Sequence, residues 1–119
     1  MDTIESSTQL VKKNIEYETL IQDLGNGMKK YIDEILDLII EVVAIKRKDI
    51  RIGETVYPYG FVKNRFLKLR FFHIKYVLSC LDRTTIKINN IRAYLLKCLF
   101  NAPSTMEHYV MAEYNHNSC

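Results

Sequence analysis

The sequence predicts a mainly α-helical fold, a compact bundle of about six helices with one short β-hairpin near residues 50–57. Apolar residues recur at helical spacing in several segments, most clearly over residues 28–48. The 119 residues include only four Gly and two Pro, which leaves little room for long linkers. Only residues 50–57 alternate as strands do. With 48% hydrophobic residues, the chain can bury the core of a single domain.

The first half of the chain predicts two helices. Residues 1–8 are rich in Ser, Thr and Glu, and we expect a flexible leader there. A first helix is predicted over Gln9–Asp23, and Gly25-Asn26-Gly27 should end it because Gly and Asn tolerate the left-handed conformation at a helix C-terminus. A second helix is predicted over Met28–Lys48. Its apolar stripe is wide enough for burial at the centre of the domain, and its main members are Ile32, Ile35, Leu36, Ile39 and Val43.

The second half predicts four more helices within a single domain that covers residues 9–117. Three follow the hairpin, at Tyr59–Leu69, Phe72–Leu81 and Asn90–Asn101. Pro103 should end the last of these, because proline lacks the backbone donor that a helix interior needs. Ser104-Thr105-Met106-Glu107 has the pattern of a capping box and predicts a sixth helix that reaches Asn115.

Charge is unevenly distributed along the chain. Residues 1–45 carry a net charge of −5, residues 46–75 a net charge of +7, and residues 76–119 a net charge of +1. Such segregation indicates charged partners. On the second helix, Asp33, Asp37 and Glu41 form one acidic line, which we consider a candidate docking face for a basic partner. A solvated surface is the simpler interpretation of the same line.

The basic segment interleaves cations with aromatic residues. A nucleic-acid surface uses this combination, because phosphates need cations and unpaired bases need stacking faces. Two other interpretations stay open: a solvated face above buried aromatics, and a docking surface for a protein. The candidate contacts with a partner or nucleic acid are Lys46, Arg47, Lys48, Arg51, Lys63, Arg65, Lys68 and Arg70.

Catalytic and metal-binding patterns are absent from the sequence, so we expect neither an enzyme nor a cofactor. His108, His116 and Cys119 do not have the spacing of a structural zinc site, which needs about four converging ligands. Cys80 and Cys98 lie in apolar helical patterns, where a free cysteine packs as a small hydrophobe. The carboxylates at Asp33, Asp37 and Glu41 follow a regular helical line rather than an acid–base pair.

The sequence also predicts a cytoplasmic protein. Residues 1–7 lack the basic start and apolar stretch of a secretory signal. The most apolar segment, residues 35–45, is interrupted by Asp37 and Glu41 and is shorter than the roughly 20 residues that span a bilayer. Three cysteines do not form an even-numbered disulfide framework. We expect no membrane partner.

Several segments together resemble a known family. The core of the resemblance is Val62-Lys63-Asn64-Arg65-Phe66-Leu67-Lys68-Leu69, followed by His73-Ile74-Lys75-Tyr76-Val77. Further matches, within residues 9–117, are Asn14-Ile15-Glu16-Tyr17 with Leu20, Ile50-Arg51-Ile52, Asn90-Ile91-Arg92-Ala93-Tyr94-Leu95-Leu96, Asn101-Ala102-Pro103-Ser104-Thr105, Tyr109 and Asn115-His116. They resemble the C-terminal domain, of unknown function, of the replication initiator A proteins of plasmids and conjugative elements in low-GC Gram-positive bacteria.

The resemblance implies a helical domain similar to the C-terminal domain of the primosomal protein DnaD. In that family the domain follows a winged-helix region that binds the origin, and its implied role is to contact host replication proteins, primosome components above all. It carries no catalytic or metal residue over to this chain. Origin recognition is not expected of these residues, because the winged-helix region has no counterpart among them. Arg70-Phe71-Phe72 departs from the family pattern of small polar residues, and we expect an exposed aromatic pair there.

The expected function is therefore recruitment of host replication proteins by a non-catalytic initiator domain. The alternative is a DNA-binding module, non-specific or with a preference for single strands, of a mobile-element replication protein. Self-association is a third class, and the sequence leaves the oligomeric state open.

Overall fold

The computed structural model describes residues 3–83 and 90–117, and the side chains of residues 4–81 and 90–105. The fold class is as the sequence predicts: a helical bundle with one antiparallel hairpin. In chain order the elements are α1 (Thr3–Ile15), α2 (Tyr17–Leu24), a 3-10 turn (Asn26–Met28), α3 (Lys29–Ala44), β1 (Asp49–Ile52), β2 (Thr55–Pro58), α4 (Tyr59–Leu67), α5 (Phe71–Arg83) and α6 (Ile91–Asn117).

The helix α3 lies at the centre because its apolar stripe is wide and packs against several other elements. It contacts α1, α2, α4 and α6. Its buried side chains include all five that the sequence singles out, and Leu38 and Val42 as well. Around it, Phe66 of α4, Val77 of α5 and Leu99 of α6 are almost fully buried. Burial of one apolar side chain contributes about 1.5–3 kcal/mol to the free energy of folding. The buried stripe of α3 is therefore a large part of what stabilises the fold.

The hairpin covers one end of the bundle. Ile50 and Ile52 alternate with exposed Arg51 and point into the core, and β1 pairs with β2 so that Arg51 lies opposite Val56. The turn places Gly53 at φ +63°, a backbone conformation that residues other than glycine rarely adopt. The strands pack on α4 and α6, so the hairpin predicted at residues 50–57 is confirmed.

The N-terminal prediction is wrong in two respects. Residues 3–8, expected in the flexible leader, form the first turns of α1, where the Thr8 hydroxyl donates to the Ile4 carbonyl at 2.7 Å. The predicted first helix is also broken at Glu16, which has φ +56°. In an unbroken helix, Ile15 and Leu20 would point about 140° apart. The break turns both side chains into the core, where each is at most 1% exposed.

The central helix ends at Ala44, four residues before the predicted Lys48. The reason is a tertiary contact with α4. The Tyr59 hydroxyl donates to the Val43 carbonyl at 2.8 Å, and the Tyr59 amide donates to the Lys48 carbonyl at 3.1 Å. Val43 is in the last turn, where a helix leaves carbonyls without an internal donor. Tyr59 thus fixes both the helix end and the following loop.

The largest correction concerns the C-terminal helices, because α6 continues through Pro103 instead of ending there. The predicted start of a sixth helix at Ser104 is therefore wrong, and the Glu107 side chain of the predicted capping box lies outside the described residues. Proline cannot donate to the carbonyl one turn earlier and crowds that turn. Arg65 holds the helix at this point: its guanidinium donates to the Phe100 carbonyl at 2.9 and 2.7 Å and to the Ser104 hydroxyl at 3.0 Å.

The number of helices still agrees with the prediction. The described residues contain six α-helices, because the predicted first helix is two helices and the predicted last two are one. The helix α4 ends at Leu67 rather than Leu69, and α5 begins at Phe71 rather than Phe72. None of the helices in the described ranges is long and apolar enough to cross a membrane.

Candidate docking surfaces

A groove runs between α3 and the start of α6. It has a volume of about 400 Å³. Leu38 and Leu95, each 3% exposed, contribute to its floor, and Ile91 is an apolar wall that remains 39% exposed. Its polar lining consists of Glu34, Asp37, Glu41 and Arg92. The groove therefore combines an apolar interior with a charged rim.

The rim is predominantly acidic. Glu41 pairs with Arg92 across the groove and, on its other side, with Arg47 at 3.4 Å. Glu34 and Asp37 are exposed and have no hydrogen-bond or ion-pair partner among the residues that the structure describes. Glu41 is thus shared by two guanidiniums, and the three rim carboxylates with Arg92 and Arg47 leave one net negative charge, which lies at Glu34 and Asp37. A cationic ligand is the charge class that this rim favours.

Asp33, the third member of the predicted acidic line, belongs to a different environment. It accepts hydrogen bonds from the Tyr17 hydroxyl at 2.5 Å and from the Lys29 ammonium at 2.8 Å. The bond from Lys29, followed by that from Tyr17, lowers the pKa of the Asp33 carboxyl, and the carboxylate in turn raises the pKa of the Tyr17 phenol. The structure thus brings Asp37 and Glu41 together and separates Asp33, which joins α2 to α3.

Part of the basic cluster forms one surface around Tyr59. Lys46, Arg47 and Lys48 are exposed in the loop that Tyr59 anchors. The Lys63 ammonium lies 6.0 Å from the centre of the Tyr59 ring. Burial raises the pKa of the Tyr59 phenol, and the nearby Arg47 guanidinium opposes that shift. Exposed Arg51 extends the positive charge along the outer face of the hairpin.

Two predicted contact residues, half-buried Arg65 and exposed Arg70, make hydrogen bonds to other parts of the chain. Arg65 joins α4 to α6, and its guanidinium also lies 4.5 Å from the centre of the Phe100 ring. Arg70 donates from its side chain to the carbonyls of Leu67, at 2.7 Å, and Leu69, at 2.9 Å, which caps the end of α4. Lys68 remains exposed at the same corner.

The His73 side chain accepts a hydrogen bond from the backbone at the start of α5. The Arg70 backbone amide donates to Nδ1 of His73 at 2.9 Å, and the His73 and Ile74 amides donate back to the Arg70 carbonyl. Burial, assisted by the Arg70 charge, lowers the pKa of His73, which keeps Nδ1 an acceptor. The expected exposed aromatic pair is half present: Phe72 is 66% exposed, whereas Phe71 packs against the core.

Two of the three cysteines lie together in one cleft. Cys80 and Cys98 are half-buried and line a cleft of about 330 Å³ between α5 and α6. Burial raises the pKa of the Cys98 thiol, and a protonated thiol is a weak nucleophile. No cluster of three metal-ligating side chains occurs among the described residues. The side chains of His108, His116 and Cys119 lie outside them.

The α6 side of the groove is what sequence reasoning missed. Glu34 and Leu38 share a helical face with Asp37 and Glu41, so the periodicity of α3 could have identified them. Ile91 and Arg92 are separated from Asp37 by more than fifty positions. No local pattern relates residues at that separation, because only the packing of α6 on α3 brings them together.

Comparison with protein families identifies the chain. A family model described as a family of unknown function (DUF6017) matches residues 1–119. The chain belongs to this family. Neither a comparison of this chain with curated proteins nor a comparison with solved structures gave a match.

Proposed function

We propose that this DUF6017 chain is a non-catalytic domain of a plasmid-type replication initiator, and that it recruits host replication proteins, primosome components in particular, in the cytoplasm. The resemblance over residues 62–77 motivates the link to replication. The observation that carries the recruiting role is the α3–α6 groove, in which an apolar floor meets carboxylates without a described partner. A nucleic acid would be repelled by this rim, whereas a protein can complement it.

The composition of the described interior supports a binding role over catalysis. Among the described residues, no polar or charged side chain is buried. Catalytic groups commonly have pKa values shifted strongly by burial and by neighbouring charges. The shifts described above have structural causes instead: a network that joins two helices, a helix cap and a half-buried thiol.

Binding to purified primosome proteins of a low-GC Gram-positive host tests the proposal. Immobilised chain should bind at least one of them. Asp37→Lys at the groove, or Lys63→Glu at the basic surface, should weaken that binding at least tenfold. Glu18→Lys is the matched control for the groove variant, because Glu18 is an exposed carboxylate on α2 and the charge change is the same. Absence of binding to every primosome component would refute the proposal.

A second candidate function is DNA binding, favoured by the exposed or half-buried cations around Tyr59. Lys46, Lys48, Lys63 and Arg51 remain available for phosphates. Arg65 and Arg70 are engaged within the fold. A surface that neutralises about four phosphates of a duplex loses roughly 100-fold in affinity between 50 and 200 mM salt.

A titration with single- and double-stranded DNA at those two salt concentrations distinguishes the functions. Sub-micromolar, salt-sensitive binding that is lost in a Lys46→Glu/Lys48→Glu/Lys63→Glu variant would favour the DNA-binding module. Lack of binding at low salt would exclude it and leave recruitment. Glu54→Lys should not weaken DNA binding, because it adds a positive charge to the hairpin that carries Arg51.

A further inference from the structure

We infer that the α3–α6 groove takes a basic amphipathic helix of a partner protein, with the apolar side chains of that helix on the groove floor and its Lys or Arg residues at the rim. The inference rests on the proposed function for the identity of the partner. Its chemistry follows from the groove itself, through the shape, apolar surface and charge of the lining residues.

The dimensions of the groove suit two turns of a helix. Along α3, the lining runs from Glu34 to Glu41, which at 1.5 Å per residue is about 10 Å. Two helical turns present apolar residues at positions i, i+3 or i+4, and i+7, the usual anchors of a helix bound in a groove. Leu38 and Leu95 form the floor that would receive them. Ile91 adds an apolar wall that the fold leaves 39% exposed.

Charge selects a cationic occupant. Glu34 and Asp37 have no described partner, so their carboxylates are available to an incoming Lys or Arg. The amide of Ala93 donates to the Asn90 side chain at 3.0 Å. This cap satisfies a donor at the start of α6 that would otherwise favour an anion. The pair between Arg92 and Glu41 is exposed, and such pairs contribute little stability, so a partner cation can replace Arg92.

Synthetic peptides test the inference without knowledge of the natural partner. One peptide is an amphipathic helix of Leu and Lys with Leu at i, i+3, i+4 and i+7. The other has the same composition in a scrambled order, so that charge is constant and only the apolar face is lost. Fluorescence anisotropy would measure both affinities at 50 and 200 mM salt, with the full chain and its variants.

We expect the amphipathic peptide to bind at least tenfold more tightly than the scrambled one. Asp37→Lys should weaken its binding at least tenfold, and Glu34→Lys should do so independently. Ile91→Ala should weaken it several-fold with little change in salt dependence, because it removes an apolar contact. Glu18→Lys, which changes the net charge equally on α2, should remain within twofold of the unmodified chain. Circular dichroism would establish that each variant is folded.

Equal affinity for the two peptides, or equal effects of Asp37→Lys and Glu18→Lys, would overturn the inference, since either would indicate non-specific attraction. Its failure is distinguishable from failure of the proposed function. Peptide binding in the groove without binding of any primosome protein would refute the function alone. Binding of a primosome protein that neither Asp37→Lys nor Ile91→Ala weakens would refute the groove alone.

Discussion

Replacement of Arg65 by alanine should destabilise the fold rather than remove a binding contact. The Arg65 guanidinium makes two hydrogen bonds to the Phe100 carbonyl and one to the Ser104 hydroxyl, and it stacks on the Phe100 ring. These contacts join α4 to α6 at the turn that contains Pro103. The substitution removes all of them at once.

The expected loss is about 3 kcal/mol in the free energy of unfolding. A charged donor to a half-buried carbonyl contributes about 1.5–2 kcal/mol, and the two bonds to the same Phe100 oxygen are counted once. The bond to Ser104 adds about 0.5–1 kcal/mol, and the contact with the ring adds about 0.5–1 kcal/mol. Arg65→Lys keeps the charge but loses the planar fork, so we expect a loss of about 1–2 kcal/mol.

Equilibrium unfolding in urea, followed by circular dichroism, measures this difference. The midpoint should fall while the slope with denaturant stays constant, because the surface exposed on unfolding is unchanged. Lys68→Ala is the matched control. It removes an exposed cation near the end of the same helix, and the free energy of unfolding should stay within about 0.5 kcal/mol.

The reasoning would be refuted if Arg65→Ala changed the free energy of unfolding by no more than Lys68→Ala does. If the same variant then also lost affinity for a partner or for DNA, Arg65 would be a contact residue after all, as the sequence alone suggests.

Three further predictions concern local structure. Glu16→Gly should raise the free energy of unfolding by up to about 1 kcal/mol, because Gly adopts φ +56° without steric cost, and a rise in the melting temperature would show it. Tyr17→Phe should lower the free energy of unfolding by about 1 kcal/mol through loss of the bond to Asp33, measured in urea. The pKa of His73 is lowered in the fold. Its contribution to the free energy of unfolding is therefore complete above the pKa of the unfolded chain, about 6.5, and should decline as pH falls below that value. His73→Gln should remove this decline, measured by urea unfolding from pH 7.5 to 5.

Each of these predictions has a control. Glu18→Gly, within α2, should destabilise by about 1 kcal/mol, because Gly is unfavourable in a helix. If Glu16→Gly lowered the free energy of unfolding by a similar amount, the backbone at Glu16 would not be strained. Tyr31→Phe alters an exposed tyrosine on α3 and should have no effect. Glutamine at position 73 keeps an acceptor for the Arg70 amide, so an unchanged pH profile would show that other groups cause the decline.

The helices were predictable wherever a single segment carries the signal. The α3 stripe at Ile32, Ile35 and Ile39 is periodic by itself, and Gly25 marks a helix end because few other residues adopt its conformation. The helix boundaries that were wrong depend on distant contacts. The helix α3 ends at Ala44, where the Tyr59 hydroxyl donates to the Val43 carbonyl. The helix α6 continues past Pro103, where Arg65 donates to the Phe100 carbonyl.

The candidate site was predictable only in part, for the same reason. Charge is a property of composition, so the sequence indicates that Asp37 and Lys63 belong to oppositely charged regions. It does not indicate which charges are neutralised within the fold. Asp33 carries the same charge as Asp37, and Arg65 the same charge as Lys63. Yet Asp33 accepts a hydrogen bond from Tyr17 of α2 at 2.5 Å, and Arg65 donates one to the Phe100 carbonyl of α6 at 2.9 Å.

The sequence by itself thus determined the helical class, the central stripe, the hairpin and the segregation of charge, because each arises from residues near one another along the chain. The tertiary structure decided which helices are broken or continuous, which ionic side chains face solvent, and where a groove forms. Those outcomes depend on α6 lying against α3 and α4, and a contact between residues far apart in sequence leaves no local pattern to read.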